Sequence, residues 1–205
     1  MTAPTRLTER FDEALTYARE HHKDDLRKGT GIPYVAHLLG VCSLVLEMEG
    51  GEDEAIAALL HDVIEDGGGV EAEVVIRRRF GPDVARIVRA CSDSDVAPKP
   101  PWRPRKEAYI AAIARKRPDE LRVSLADKLH NARAILLDLR THGDELWRRF
   151  SAGRDEQLWY YGTLAQQFAA RRGDLGEPAG PAVDELRRVV EEIAFVATAS
   201  MWSDR

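Results

Sequence analysis

The sequence predicts an all-α fold, a helical bundle. Three observations predict helices. Apolar residues recur at three- and four-residue spacing through most of the chain, glycine and proline fall at the ends of those segments, and almost nothing reads as strand. The 205 residues, 44% of them hydrophobic, suffice for one domain with a sizeable core, or one domain plus a helical extension.

From Leu7 to Lys23, residues Leu7, Phe11, Ala14, Leu15 and Ala18 share a helical stripe, with Thr8 placed to cap it. His21 and His22 close this helix, where an exposed imidazolium complements the dipole. Asp24 to Pro33 contains Gly29, Thr30 and Gly31 and reads as a polar loop. Arg27 and Lys28 lie on it. Adjacent loop cations usually mark a solvated surface, but beside an anion-handling site arginine offers a planar fork and lysine a point charge. Tyr34 to Met48 is an apolar helix with His37 near its start. After a turn over Glu49 to Asp53 comes a helix that the Gly67-Gly68-Gly69 triplet is expected to stop. Val70 to Arg79 reads as amphipathic, with Val70, Val74, Val75 and Ile76 inward and Arg77 to Arg79 outward. Gly81-Pro82 starts another helix, Asp83 to Ser92.

Residues 93–104 hold four prolines and are expected to be irregular. A loop of that length is either functional or mobile; its Trp102 and Arg103 either cover a ligand or pin the loop to the core. Lys106 to Lys116 is again helical. Pro118 opens a long helix at the position proline favours, and Leu121, Val123, Leu125, Leu129, Ile135, Leu136 and Leu139 make it nearly apolar all round, hence buried. A shorter helix covers Asp144 to Phe150. Asp155 to Arg172 carries an aromatic stripe through Trp159, Tyr160, Tyr161 and Phe168, read as packing. Residues 1–172 are therefore expected to form one domain, 173–181 a turn-rich linker, and 182–205 a last helix that packs on the same domain or on another subunit.

The chemistry concentrates at Ala57-Ala58-Leu59-Leu60-His61-Asp62-Val63-Ile64-Glu65-Asp66. On a helix, at roughly 100° per residue, His61, Asp62, Glu65 and Asp66 share one side. Three carboxylates there would sit at the negative end of the helix dipole, an arrangement that calls for a compensating cation. Two further ionisable groups lie in apolar helices. His37 is the second imidazole that a metal site would require. Asp127 has Asn131 four residues on, and a carboxylate there costs several kcal/mol unless it is paired or ligates a metal; Lys128 and Arg133 are the candidate ion-pair partners.

Composition removes other classes. The net charge of −5 gives no electrostatic case for a nucleic-acid partner. No apolar run approaches the roughly 20 residues of a membrane span, and the N-terminus lacks the apolar core of a signal peptide. Cys42 and Cys91 both lie in apolar surroundings, as buried thiols do in a reducing compartment. The expectation is a soluble, cytoplasmic protein.

The order His37…His61-Asp62…Asp127 resembles that of the HD-domain metal-dependent phosphohydrolases. More narrowly, the chain is similar over about residues 10 to 170 to the hydrolase domain of RelA/SpoT-type enzymes and the small alarmone hydrolases. Arg27-Lys28 with Pro33-Tyr34 and His37, the run Ala58 to Asp66, and Leu125-Ala126-Asp127-Lys128-Leu129-His130-Asn131-Ala132-Arg133 carry the likeness. It implies removal of the 3′-pyrophosphate of guanosine tetra- or pentaphosphate with one divalent metal ion, usually manganese. His37, His61, Asp62 and Asp127 would hold the ion, and Glu65 and Asp66 would orient and deprotonate the attacking water. Arg27 would lie against the purine with Lys28 nearby, Asn131 would hydrogen-bond the substrate, and Tyr161 falls in a matching Tyr-x-x-Leu-Ala stretch.

Leu38, Asp25, Gly67, Ala134 and the Gln166-Gln167-Phe168 run depart from the family pattern. Leu38 reads as a packing change, the others bear on base or phosphate specificity, and the metal set is left whole. The rival readings are another phosphorylated nucleotide as substrate (an adenosine alarmone or a nicotinamide dinucleotide phosphate), a nucleotide-binding regulator without turnover, and a purely structural bundle. The Glu65-Asp66 pair argues against the regulator, and Asp62 and Asp127 in apolar helices argue against the bundle.

Overall fold

The longest apolar helix of the sequence, α7 (Pro118–His142), is the axis of the structure. Ten helices are seen in a computed structural model that describes residues 4–94 and 98–203. In chain order the others are α1 (Glu9–His21), α2 (Val35–Glu47), α3 (Glu52–Leu60), α4 (Gly69–Phe80), α5 (Pro82–Cys91), α6 (Trp102–Ile113), α8 (Arg154–Ala170), the single turn α9 (Arg172–Leu175) and α10 (Gly180–Ser203). Among the described residues there is no strand, only an isolated bridge between Leu26 and Pro33 that pinches the α1–α2 loop shut. No described helix is long and apolar enough to cross a membrane.

The apolar faces of α7 are covered, α2, α3 and α5 packing on one flank and α10 on another, while Arg133, Leu137 and Arg140 stay exposed. Leu121, Leu125, Ala126 and Leu129 of α7 meet Leu38, Val41, Ile56 and Leu59 in one continuous core. Pro118 stands at its first turn as expected. Thr8 caps α1, its hydroxyl accepting from the Arg10 amide at 3.3 Å.

Five expectations need correction. The helix around His61 does not run unbroken to the glycine triplet: α3 ends at Leu60, and Ile64 to Gly68 form a π-helical turn. The triplet then starts a helix instead of only stopping one, with Gly69 at φ 51°, a conformation glycine supplies without strain. On α4 the buried stripe is Ala72, Ile76 and Phe80, while Val70 and Val74 face solvent; Phe80, the largest side chain on the helix, fixes its rotation. Residues 102–104 belong to α6 and not to the proline-rich loop. Trp102 packs edge-on against Trp159 and Tyr160, and the Arg103 guanidinium lies 3.4 Å from the centre of the Trp159 ring, so this end of the segment is pinned to α8. His22 is not an exposed cation: it is buried, with Nδ1 2.9 Å from Asp25 Oδ2.

The 173–181 segment, expected as a turn-rich linker, is made of short turns. It contains α9 and a 3-10 turn, buries Leu175 and Ala179, and returns α10 onto α7 and α8. Arg133 contributes there, pairing with Glu185 of α10 and not with Asp127.

One buried group outside the site makes stability depend on pH. Lys116 bonds the Ala90 carbonyl and Ser124 Oγ, and burial lowers its pKa from 10.5 to about 8. The unfolded lysine holds its proton more tightly, so the folded state is penalised at neutral pH and gains stability as pH rises through 8. Between pH 8 and 9.5 that gain is about 1.5 kcal/mol. Urea unfolding across this window should show the wild type gaining about 1.5 kcal/mol relative to Lys116→Met, a difference that cancels the opposing effect of the Cys42 and Cys91 thiols, whose pKa values burial raises.

Candidate metal centre

The centre forms where α2, the end of α3 and α7 meet. His37 comes from the first turn of α2, His61 and Asp62 from the residues after α3, and Asp127 from the middle of α7. His37, His61 and Asp127 are buried, and each presents a ligand atom within 4.8 Å of the others. His37 Nε2 lies 3.3 Å from His61 Nε2 and 3.4 Å from Asp127 Oδ1. Asp62 joins from the same side, its Oδ2 2.9 Å from His61 Nε2 and 3.6 Å from His37 Nε2. The four residues singled out in the sequence therefore converge, from segments up to ninety residues apart.

Each side chain is held by a second partner. His61 Nδ1 donates to the Ala58 carbonyl at 2.8 Å, which turns Nε2 toward the cluster. His37 Nδ1 faces His130 Nδ1 at 2.9 Å. The Tyr34 hydroxyl donates to Asp62 Oδ2 at 2.6 Å. Asp127 receives Lys128 Nζ on Oδ2 and Asn131 Nδ2 on Oδ1, each at 2.6 Å. Arg27 Nη2 donates to Asn131 Oδ1 at 2.8 Å, so the loop cation and the α7 carboxylate are joined through one amide.

The electrostatics are those of a site built for a cation. Burial pushes the His61 imidazolium down, but Asp62 and Asp127 beside it prevail and hold its pKa well above the usual value. His37 is lowered by burial, with Asp127 opposing and His61 adding to the drop. Against burial, Lys128 and both histidines hold the Asp127 carboxyl well below the usual carboxylate range, and His61 does the same for Asp62. Two carboxylates thus favour positive charge at His61, the compensation a divalent ion would also supply. Imidazole nitrogens with carboxylate oxygens are the donor set of manganese, iron or zinc sites. The residues fit a divalent ion.

Glu65 and Asp66 follow on the π-helical turn, a feature frequent at functional sites. Glu65 Oε1 accepts from Lys99 Nζ at 2.9 Å, and its other oxygen from the Asp93 amide at 3.4 Å. Asp66 stays more open, and burial, with Asp62 and Glu65 adding, raises its carboxyl to about 7. A cavity of about 440 Å³ opens beside His37. Arg27, Lys28, Asn131 and Tyr161, the four residues assigned to substrate, all line it, together with His130, Asp138 and Arg149. Glu65 and Asp66 are not in its lining and lie on the Lys99 side of the metal cluster.

Tyr34, His130 and Lys99 were not singled out by sequence reasoning. Tyr34 and His130 stand inside the matching motifs, and an i, i+3 link from Tyr34 to His37 on α2 was the available signal. Lys99 reaches Glu65 across a proline-rich segment whose path no periodicity reveals.

The HD-domain family profile matches residues 14–157, and the chain belongs to that family. Among its relatives, human guanosine-3′,5′-bis(diphosphate) 3′-pyrophosphohydrolase MESH1 is 35% identical over 126 residues, 60% of this chain and 68% of the relative. The bifunctional (p)ppGpp synthase/hydrolase SpoT of Escherichia coli K12 is 32% identical over 138 residues, 64% of this chain and 19% of that much longer protein. In three dimensions, the chain resembles a metazoan SpoT orthologue described as hydrolysing ppGpp, with a TM-score of 0.71 at 28% identity, covering 90% of this chain and 97% of the other. A Listeria monocytogenes EGD-e structure matches with a TM-score of 0.67, also at 28% identity, over 77% and 97%.

Proposed function

We propose that the chain is a metal-dependent pyrophosphohydrolase that removes the 3′-pyrophosphate of ppGpp or pppGpp. The observation that carries this reading is the meeting of His37, His61, Asp62 and Asp127, with His37 also lining a cavity formed by Arg27, Lys28, Asn131 and Tyr161. Relatives named for that activity are 35% identical to this chain over the matched residues, and a solved structure described as hydrolysing ppGpp resembles its fold with a TM-score of 0.71.

A divalent ion bound by the four ligands, manganese in this reading, supplies Lewis acidity, lowering the pKa of water and offsetting phosphate charge. The protein supplies the rest. Arg27, held by Asn131, presents its guanidinium plane to the purine, and Lys28 at the exposed rim meets the phosphates as a point charge. Glu65 and Asp66 orient the attacking water and take its proton, and Lys99 beside them offsets the build-up of negative charge. The products are the 5′-phosphorylated nucleoside, with a free 3′-hydroxyl, and pyrophosphate.

Manganese-loaded protein should release pyrophosphate from ppGpp, and Asp62→Ala should release none. Silence of the wild type with ppGpp while manganese still binds would move the search to an adenosine alarmone or a nicotinamide dinucleotide phosphate.

A further inference from the structure

Two histidines of the metal cluster are fixed in different ways, and the difference points to an additional positioning residue. His61 Nδ1 meets the Ala58 carbonyl at 2.8 Å. A carbonyl only accepts, so a proton must sit on Nδ1, and Nε2 is the atom turned to the cluster. His37 Nδ1 meets instead another imidazole nitrogen, His130 Nδ1, at 2.9 Å. One of these two nitrogens carries the hydrogen, and which one decides the state of His37.

If His130 donated, the neutral His37 would carry its proton on Nε2, aimed at His61 Nε2 and Asp127 Oδ1. It could then offer no lone pair there. If His130 accepts, His37 carries its proton on Nδ1, as His61 does, and the Nε2 lone pair of His37 faces the cluster. Metal-binding histidines commonly have their second ring nitrogen oriented by an outer partner, and that partner tunes affinity.

The packing fixes the ring of His130 for this task. It lies in a slot on α2 that exists because residue 40 is glycine: a Cβ there would lie 2.2 Å from His130 Nε2 and 2.3 Å from its Cδ2. With its Nε2–Cδ2 edge against the α2 backbone, His130 turns its Nδ1 toward His37, one helical turn before Gly40 on the same helix, the ring orientation that puts two nitrogens in hydrogen-bond contact.

We propose that His130, seated against Gly40, accepts the His37 Nδ1 proton and so fixes the Nε2 lone pair of His37 on the metal centre. This rests on the metal-site reading above for its purpose, but its direct test does not. In the metal-free protein at pH 8, long-range proton–nitrogen correlation spectra of the histidine rings should show His37 protonated on Nδ1. In His130→Phe, which keeps a ring in the slot but removes the acceptor, His37 should leave that single tautomer. Manganese affinity, measured by calorimetry, should then fall about 10- to 100-fold.

His130→Asn returns an acceptor near the position of Nδ1 and should restore both the tautomer and the affinity to within a few-fold. Gly40→Ala, which displaces the His130 ring without touching any ligand, should reproduce the loss and serves if His130→Phe does not fold. An unchanged His37 tautomer in folded His130→Phe would overturn the proposal. So would His37 protonated on Nε2 in the wild type, or an Asn variant as weak as the Phe variant. Failure of the wild type to bind manganese, with the Nδ1 tautomer still present and lost in the Phe variant, would overturn the metal reading and leave the positioning role standing.

Discussion

Asp127→Asn is expected to abolish manganese binding and to lower pyrophosphate release from ppGpp at least about a thousandfold, the rate equivalent of losing several kcal/mol of metal-derived stabilisation. The carboxylate sits at the middle of α7 with Oδ1 3.4 Å from His37 Nε2 and 3.6 Å from His61 Nε2. Asparagine keeps its volume and its bond to Asn131 in kind, but not its charge. The variant also leaves Lys128, which bonds Asp127 Oδ2 at 2.6 Å, as a buried cation without its carboxylate. Breaking such a pair costs about 3–5 kcal/mol, so lost activity could be mistaken for lost fold. The double variant Asp127→Asn, Lys128→Met separates the two. Removing both charges should return most of the stability in urea unfolding, because the two residues touch and their effects are not additive. Neither metal binding nor turnover should return. Recovery of activity in the double variant would show that Asp127 matters only as the partner of Lys128.

The parts of this site that were legible in the sequence are those that contradict their surroundings. Asp127 amid the apolar stretch of one helix, His37 on another, and a His-Asp pair ending a run of alanine and leucine each demand a partner, because burying such groups alone is costly. They are found together, as the motif order implied. Helix existence was likewise legible, since α7 and α8 are long and their stripes continuous. What escaped was set by competition between neighbours. Val70 and Val74 looked as apolar as Ile76, and only the packing of Phe80 shows which side of α4 turns in. The π-helical turn at Ile64–Gly68 has no periodicity of its own to read. His130 lies in a matched motif, yet its role depends on a glycine ninety residues earlier that leaves room for its ring.

Glu65→Gln is expected to separate chemistry from metal binding: manganese affinity should stay close to that of the wild type while kcat on ppGpp falls about 10²- to 10⁴-fold, the usual worth of a positioned proton acceptor. Glu65 is outside the set of ligand atoms that converge at the centre, and its own contacts are to Lys99 and the Asp93 amide. Glutamine keeps the side-chain length and one oxygen that can accept from Lys99, so the π-helical turn and its neighbours have little reason to move. What it cannot do is take a proton from water. Asp66→Asn tests the second carboxylate in the same way. If water is oriented by one and deprotonated by the other, the two single variants should differ in size and the double variant should be little worse than the poorer single, because groups that act as a unit are not additive. The contrast with Asp127→Asn is the decisive one. A Glu65→Gln protein that loses manganese along with turnover would place Glu65 among the ligands, whereas one that keeps full kcat would remove it from the reaction.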